Sequence, residues 1–356
     1  MMSKFITIFL STTLLCLAVA CGNDDDERPE YAEGLKVVKA QTLFGVLGGT
    51  QEVTLAAAPA QAYTKATWLK VEQKAENISL TAETNQSMES RNALLVLKNL
   101  QGDSIAINIH QEGISFGLPT GEEILIGDEQ AKRSLLISAN VPVEYGATQS
   151  WIKVSQQNGK LEVEIERNTT GKPRVGWLTA TAAGIIDSLQ VVQASLADVV
   201  GEYVQTALMR NENRDLVEKT TNVRIEAKGT RQANFIVDEK YVWEVAFTPG
   251  KGFEMKNGKV VSKKEIKPGV TEYLISVIVA NDFSKEHETM INGTQESVSL
   301  GFDNEGNLVF RESQKLSNEQ TFASYGWNRY TTNQPVQSAF QGIGEVYVQP
   351  KLTRKP

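Results

Sequence analysis

Ligand-binding chemistry is concentrated in one segment near the end of the chain. Residues 322–330 read FASYGWNRY and place aromatic rings beside an amide and a guanidinium group. Aromatic rings stack on the apolar faces of sugars, and amide and guanidinium groups donate hydrogen bonds to hydroxyl groups. Alternate side chains of an extended segment share a face, so Tyr325 and Trp327 would lie side by side. The rings either fill the core of a domain or, as we predict, form a ligand-binding loop with Tyr325, Trp327, Asn328, Arg329 and Tyr330.

Residues for metal or nucleophilic chemistry are scarce. The chain contains two cysteines, Cys16 and Cys21, and two histidines, His110 and His287. This inventory excludes a disulfide framework and a cysteine-ligated metal site. The sequence has no phosphate-binding loop, zinc-protease motif or dinucleotide fingerprint. We therefore predict no metal, no cofactor and no catalytic centre, with hydrolysis by paired carboxylates as the alternative.

The charge balance argues against a nucleic-acid partner. The 356 residues include 36 Lys and Arg and 43 Asp and Glu, for a formal net charge of -7. No basic block is long enough to follow a phosphate backbone. Hydrophobic residues make up 41% of the chain, which is typical of soluble globular proteins. The length predicts about two to four domains.

The first residues predict export and attachment to a membrane. Lys4 precedes an uncharged apolar run at 5–20, and small residues precede Cys21. This order is typical of a secretory signal peptide, here 1–20, and the run is shorter than the roughly 20 residues of a transmembrane helix. The sequence before Cys21 resembles a bacterial lipobox, although Ala18 stands where a bulky aliphatic residue is usual. The resemblance implies that Cys21 is lipidated; plain secretion is the alternative.

An acidic run follows Cys21. Residues 24–27 are three aspartates and a glutamate, which anionic headgroups repel, so we expect 21–33 to be an extended tether. The run resembles the acidic export signal of Bacteroidetes surface lipoproteins. The resemblance implies a lipid-anchored protein of the outer membrane that is exposed at the cell surface. A disordered linker is compatible with the same sequence.

A duplication organises the middle of the chain. Residues 67–71 (TWLKV) recur as 150–154 (SWIKV), and Arg91 recurs as Arg174, both at an offset of 83. Each arginine begins an apolar strand, which a turn and a closing strand follow. The offset falls by one before the closing strand ends, which predicts a hairpin one residue shorter in the second copy.

Each copy of the repeat predicts a β-sandwich. Ile105, Ile107 and Ile109 alternate with small or polar residues, which is typical of half-buried strands. Several such strands in about 80 residues fit a sandwich. We predict one sandwich at 34–113 and a second at 114–196.

The repeated unit resembles the BACON domain over residues 34–195. The Trp-Leu/Ile-x-Val strand, the strand that begins with Arg and the closing strand that ends in Gln carry this resemblance. BACON domains are immunoglobulin-like modules of Bacteroidetes surface proteins with a suspected carbohydrate-binding role, and some members resemble spacers. The resemblance implies one of these two roles.

The tryptophans of the repeat favour the spacer. Trp68 and Trp151 hold equivalent positions, and Leu94 is the counterpart of Trp177. We predict that positions kept apolar in both copies lie in the core, where no sugar can stack.

The closing strand of each copy also contains an Asp-Ser-aliphatic tripeptide, at 103–105 and 187–189. It resembles the acceptor pattern of Bacteroides protein O-glycosylation, which implies Ser104 and Ser188 as modification sites. Duplication alone also explains why the tripeptide occurs twice.

Residues 197–356 form a different domain. Strand-like runs alternate with turn pairs such as Pro-Gly and Asn-Gly, and about eight antiparallel strands fit one barrel or sandwich. Gly201, Tyr203 and the hairpin 303–307 resemble lipocalin-type barrels of Bacteroidetes lipoproteins. The predicted fold is all-β: two tandem immunoglobulin-like β-sandwiches followed by a C-terminal antiparallel β-barrel or sandwich.

These features predict a non-catalytic cell-surface lipoprotein associated with glycan binding or utilisation. Its partners would be the membrane, through the lipid on Cys21, and a polysaccharide or the glycan of a glycoprotein. The alternative is a structural or assembly lipoprotein of the outer membrane that binds an envelope protein.

Overall fold

Strands of alternating apolar and polar residues make up most of the described chain, and the all-β prediction is confirmed. The computed structural model describes residues 35–356 except 122, 214, 283–286, 292–295, 312–313 and 317–319, and within 281–295 it describes the backbone alone. The predicted signal peptide, Cys21 and the acidic tether lie outside these residues. In the described part of the chain, no helix is long and apolar enough to span a membrane. The contacts form two compact units: the first sandwich, and the second sandwich with the C-terminal domain.

The first sandwich contains eight strands. They are β1 Val37–Ala40, β2 Leu43–Phe44, β3 Gly49–Leu55, β4 Gln61–Tyr63, β5 Leu69–Lys74, β6 Asn77–Ala82, β7 Arg91–Lys98 and β8 Ser104–Gln111. One sheet has the order β1–β3–β6–β5 and the other β2–β8–β7–β4. Ile78 and Leu80 of the first sheet and Leu95 and Leu97 of the second are fully buried in one core.

The second sandwich repeats this arrangement. Its strands are β9 Phe116–Gly117, β10 Ile124–Ile126, β11 Ala131–Leu136, β12 Ser138–Ala139, β13 Glu144–Ala147, β14 Ile152–Gln157, β15 Lys160–Ile165, β16 Arg174–Ala182 and β17 Ile185–Gln193. The sheets have the orders β10–β17–β16–β13 and β11–β15–β14, and β9 pairs with β12. In both sandwiches a short strand, β2 or β10, runs parallel to the closing strand.

The strand pairing follows the duplication seen in the sequence. Arg91 lies opposite Gln111 across β7 and β8, and Arg174 lies opposite Gln193 across β16 and β17. Each arginine Nε donates a hydrogen bond to the glutamine Oε1, at 2.8 and 2.9 Å respectively. Both glutamines are fully buried, so the arginine satisfies a polar group that would otherwise destabilise the core.

The C-terminal domain is built almost entirely from long strands. Its elements are α1 Leu196–Val199, β18 Gly201–Arg210, β19 Leu216–Ala227, β20 Gln232–Val237, β21 Tyr241–Thr248, β22 Gly252–Lys256, β23 Val260–Lys267, β24 Val270–Asp282, β25 His287–Ile291, β26 Ser297–Phe302, β27 Leu308–Phe310, β28 Thr321–Tyr330, a 3-10 turn Gln337–Ala339 and β29 Phe340–Arg354. Neighbouring strands are antiparallel throughout.

These strands close into an eight-membered barrel. The closure is made by one continuous stretch, β22 and β23, which pairs with β21 at one end of the sheet and with β24 at the other. After pairing with β21 as β22, the chain passes through 257–259 and pairs with β24 as β23. The N–H of Gly258 donates to Ser276 O at 3.0 Å, and the N–H of Ser276 donates to Lys259 O at 2.8 Å. The ring is therefore β18–β19–β20–β21–β22/β23–β24–β28–β29, returning to β18. The hairpin β26–β27 branches from β22.

The segment 322–330 is a strand, so the prediction of a loop is wrong. It lies within β28, which is hydrogen bonded to β24 on one side and to β29 on the other. Gly326 allows the close approach of β28 to β29. A Cβ at this position would stand 2.3 Å from Glu345 O.

The second sandwich and the barrel share one apolar core. Val175, Val192 and Ala194 are buried in the same cluster as the interior side chains of the barrel. The N–H of Gly250, in the turn after β21, donates to Ala194 O at 3.0 Å. Gly250 has φ +71, and a Cβ there would stand 2.5 Å from Ile126 N. The two modules are therefore joined by backbone contact as well as by side chains.

Candidate functional site

The predicted aromatic residues Tyr325 and Trp327 lie inside the barrel. Both are 0% exposed and pack with Trp243 and Tyr347. The rings of Tyr325 and Tyr347 stack with centroids 5.1 Å apart, and Trp327 meets Trp243 edge to face at 5.6 Å. The Tyr325 hydroxyl donates to Gln205 Oε1 at 2.5 Å. Burial raises the pKa of Tyr325 far above its ordinary value, so the hydroxyl stays protonated as a donor.

The other three predicted site residues lie elsewhere. Arg329 is exposed, while Asn328 is 2% exposed. Tyr330 packs edge to face on Phe340, with centroids 5.6 Å apart, in a separate cluster. The structure thus brings together Tyr325 and Trp327 alone, in the placement of core residues. A ligand-binding role for the five stays a prediction.

A carboxylate and two phenols bridge the barrel at one end. Glu345 Oε1 accepts a hydrogen bond from Tyr241 at 2.9 Å, and Oε2 accepts one from Tyr347 at 2.7 Å. Lys240 Nζ lies 3.7 Å from Glu345 Oε1. The two tyrosines come from β21 and β29, which are opposite members of the ring. Burial raises the pKa of both phenols, so they remain protonated donors to the carboxylate.

A cleft of about 1300 Å³ lies where the second sandwich meets the barrel. We call it the junction cleft. Its walls are the loop 171–173, α1 with the start of β18, the β26–β27 hairpin and the end of β29. Four separate parts of the chain form these walls, so no local pattern in the sequence could reveal the cleft.

A partly exposed tryptophan, Trp177, lies on the outer face of the second sandwich. Its neighbours on β16, Leu178 and Ala180, point into the core and are 0% exposed, so Trp177 and Thr179 point outward. Its counterpart Leu94 is 56% exposed. The prediction that this position belongs to the core is therefore wrong, and the outward threonines after Trp177 were the available signal.

Small polar side chains surround Trp177. Gln190 lies opposite Trp177 on β17. On the other side, the backbone N–H of Trp177 donates to Thr148 Oγ1 at 3.0 Å. In the next row, Thr179 lies between Ser188 and Gly146. We call this surface the Trp177 face. It is a flat sheet surface with one indole among hydroxyl and amide groups.

The repeated tryptophans, by contrast, are covered. Trp68 and Trp151 are partly buried against the two sandwich cores. The guanidinium carbon of Arg91 lies 4.5 Å from the Trp68 ring centroid, and that of Arg174 lies 4.3 Å from the Trp151 centroid. This cation–π contact occupies the ring face that a sugar would need. Both residues therefore have the structural role that their repetition predicted.

The remaining candidate residues are the two serines of the predicted glycosylation sites and the possible metal ligands. Ser104 and Ser188 are both exposed, and their glycosylation stays a prediction. His110 Nδ1 lies 3.0 Å from Asn92 Oδ1. In the described ranges, no group of three or more His, Cys, Asp or Glu side chains is placed to hold a metal ion.

The chain has limited similarity to known proteins. No curated protein matches the sequence. A crystal structure of a domain tandem from titin covers 67% of this chain and 93% of its own, with 10% identity and a TM-score of 0.35. An endo-fucoidan hydrolase of glycoside hydrolase family 107 covers 44% of this chain and 33% of its own, with 9% identity and a TM-score of 0.21. Neither likeness is evidence for a shared activity. Residues 140–194, which include Trp177, match the BACON family, described as "Putative binding domain, N-terminal".

Proposed function

We propose that this protein is a non-catalytic lipoprotein of the outer membrane that binds a polysaccharide at the cell surface. Trp177 carries the proposal: it is a partly exposed indole on the outer face of the module that matches a family of binding domains. This assigns binding to the second sandwich, in place of the spacer role predicted from its sequence.

The Trp177 face has the chemistry that a neutral glycan requires. An indole supplies a rigid apolar surface for one face of a pyranose ring. Thr148, Thr179 and Gln190 supply hydroxyl and amide groups beside it that can donate to and accept from sugar hydroxyls. Glu144, at the end of the face, is the one charged side chain on β13. The ligand we propose is therefore a chain of uncharged sugars.

The first sandwich and the barrel have supporting roles in this proposal. Leu94 replaces the indole in the first sandwich, which we propose is a spacer. The resemblance to lipocalin-type barrels gains support from the closed meander of eight strands. However, Tyr325, Trp327 and Tyr347 fill the interior that would hold a ligand in such a barrel, so we propose that the barrel is a scaffold.

Affinity measurements with neutral polysaccharides such as glucans, xylans and mannans test the binding proposal. We expect Trp177→Ala to weaken binding of the recognised polysaccharide by about 2 kcal/mol, roughly thirtyfold, which is typical of a central tryptophan. Leu94→Ala is the matched control, because it truncates the equivalent position of the first sandwich, and it should leave affinity unchanged. Absence of binding to every polysaccharide, together with a stoichiometric protein partner after detergent extraction, would favour the assembly role instead.

Metabolic labelling with palmitate tests the anchor separately. Cys21→Ser should abolish label incorporation and release the protein from the membrane fraction. Protease treatment of intact cells should degrade the wild-type protein if it faces outward. Unlabelled wild-type protein would contradict the lipid anchor without affecting the sugar-binding proposal.

A further inference from the structure

The junction cleft has an apolar floor. Tyr203, Leu308, Phe310 and Leu352 line it, and each is at most 8% exposed. The Tyr203 hydroxyl donates to Val199 O at 2.7 Å, so it is already engaged within the protein. The floor therefore supplies shape and apolar contact, and polar recognition has to come from the rim.

Positive charge on the rim is available to a ligand. Lys172 and Lys351 are exposed and Arg311 is half-buried. Within the described residues, none of these three side chains forms an ion pair.

A fourth cation is fixed in the wall. Arg354 donates from one Nη to Asp198 O at 2.6 Å and from the other to Val200 O at 2.9 Å. Carbonyl oxygens orient the guanidinium group but carry no net charge to neutralise it. Arg354 therefore keeps its positive charge at a defined place beside the floor.

Two carboxylates of the cleft accept hydrogen bonds from neutral groups and keep their negative charge. Asp198 accepts hydrogen bonds from the backbone N–H and the hydroxyl of Ser195, at 2.7 and 3.0 Å. Asp303 accepts hydrogen bonds from the N–H groups of Glu305 and Asn307 within its own hairpin.

Two further carboxylates complete the lining. Glu202 lies 3.7 Å from Arg224, and Glu305 is exposed on the hairpin. Lys355 is exposed, and its Nζ donates to Asn222 Oδ1 at 2.9 Å. The lining therefore contains five cationic side chains, Lys172, Arg311, Lys351, Arg354 and Lys355, and four carboxylates, Asp198, Glu202, Asp303 and Glu305, and Glu202 among the carboxylates is near a cation from outside the cleft.

From this charge distribution we infer that the junction cleft binds the carboxylate or sulfate groups of an anionic ligand. Arginine and lysine pair with such groups through charge-assisted hydrogen bonds. The groups can belong to an acidic polysaccharide or to a small free anion. This site is separate from the Trp177 face and does not depend on neutral-glycan binding there.

Titration calorimetry of the full mature chain tests this inference with polygalacturonate and chondroitin sulfate, and with neutral galactan as the reference polymer. We expect the acidic polymers to bind more tightly than galactan and to lose affinity as salt rises, since salt screens exposed charges. The double change Lys172→Ala and Lys351→Ala should weaken acidic-polymer binding roughly tenfold, because exposed charge pairs contribute modestly. Galacturonate monomer and inorganic sulfate form a second arm: saturable binding of these, weakened by the same double change, identifies a small anion as the source.

A matched pair of lysines provides the control. Lys263 and Lys264 are exposed on β23 and are not part of the cleft lining. Changing both to alanine removes the same charge and should alter affinity less than twofold. An equal loss in the control pair, equal binding of acidic and neutral polymers, or no binding of any anion would overturn the inference. Trp177→Ala should leave acidic-polymer binding intact, so that failure of this inference and failure of the proposed function can be told apart.

Discussion

The hydrogen bond from Tyr325 to Gln205 is the polar contact on which the barrel core depends. Both residues are 0% exposed, and Gln205 also donates to Thr221 Oγ1 at 3.3 Å. A buried amide oxygen that loses its donor retains the full cost of its desolvation. The pair therefore links β18 to β28 inside the barrel.

We predict that Tyr325→Phe destabilises the protein by about 1–3 kcal/mol, because Gln205 Oε1 is left unsatisfied. Tyr347→Phe is the matched control, since its hydroxyl donates to Glu345, a partly exposed carboxylate that water can solvate. The free energies of unfolding in urea, followed by tryptophan fluorescence, should differ in this order. Equal decreases in the free energy of unfolding would show that the hydrogen bond to Gln205 contributes no more to stability than the one to Glu345.

We also predict that stability falls as pH rises above about 10. Burial raises the pKa of Tyr325 in the folded state above its ordinary value of 10.0, so the folded protein holds this proton more tightly than the unfolded chain. The stability from this group is complete below pH 10 and is lost at higher pH. Urea midpoints between about pH 8 and 11 should fall less steeply for Tyr325→Phe than for the wild type. Absorbance of phenolate in the folded wild-type protein at pH 10.5 from this residue would contradict the prediction.

The sequence predicts the burial of some aromatic residues correctly and of others incorrectly. Trp68 and Trp151 were placed correctly because a duplication reports on structure directly. Tyr325 and Trp327 were assigned to a loop because their partners, among them Gln205 and Trp243, lie more than 80 residues away and leave no local pattern. The same argument from duplication misplaces Trp177, because its counterpart Leu94 is also apolar and yet both side chains point outward.

The two sandwiches differ at the positions that decide docking to the barrel. Val175 and Val192 are cross-strand partners buried in the shared core. The equivalent partners in the first sandwich are Asn92 and His110. The neighbouring strand supplies partly buried Leu125 in the second sandwich, whereas Leu43 in the first is 69% exposed. Two polar-to-apolar differences therefore convert the same sheet face from a solvated surface into a docking surface.

We predict that Gly250→Ala destabilises the protein by more than the cost of placing alanine in a left-handed conformation, because the Cβ also disturbs the docking of the barrel on the second sandwich. Gly250 and Gly269 have similar φ angles, +71 and +75, but a Cβ at Gly269 meets open space. Gly269→Ala should cost about 1–2 kcal/mol for the left-handed conformation. Gly250→Ala should cost roughly 1–3 kcal/mol more, because its Cβ would overlap the backbone at Ile126. Denaturant titrations of both variants measure the difference. Equal losses of stability would mean that β10 shifts away from the added Cβ without cost.

The strands themselves were largely predictable, since alternation of apolar and polar residues is a local property. The closure of the barrel was not. It depends on residues 257–259, where one extended stretch changes its partner from β26 to β24, and nothing in the local pattern marks such an exchange.

Because the second sandwich and the barrel share a core, they should unfold together. Leu178 lies in the sandwich core and Leu95 in the core of the first sandwich, and both are 0% exposed. We predict that Leu178→Ala, at a cost of about 2–5 kcal/mol, accelerates hydrogen exchange of amides in the barrel strand β28. Leu95→Ala, with a similar cost in its own sandwich, should leave exchange in β28 unchanged. An equal effect of both variants would mean that the whole chain is a single cooperative unit.

Strand β16 has a consequence for the length of ligand that this protein prefers. It begins beside Pro173, which lines the junction cleft, and reaches Trp177 within four residues, or about 13 Å of extended chain. We expect the two proposed binding surfaces, which lie near the two ends of this segment, to act on a single polymer as a bivalent receptor, because engagement of the first raises the effective concentration of sugar at the second. A polysaccharide that combines neutral and acidic units should therefore gain affinity sharply once an oligomer is long enough to reach both points, and shorter fragments should show no such avidity.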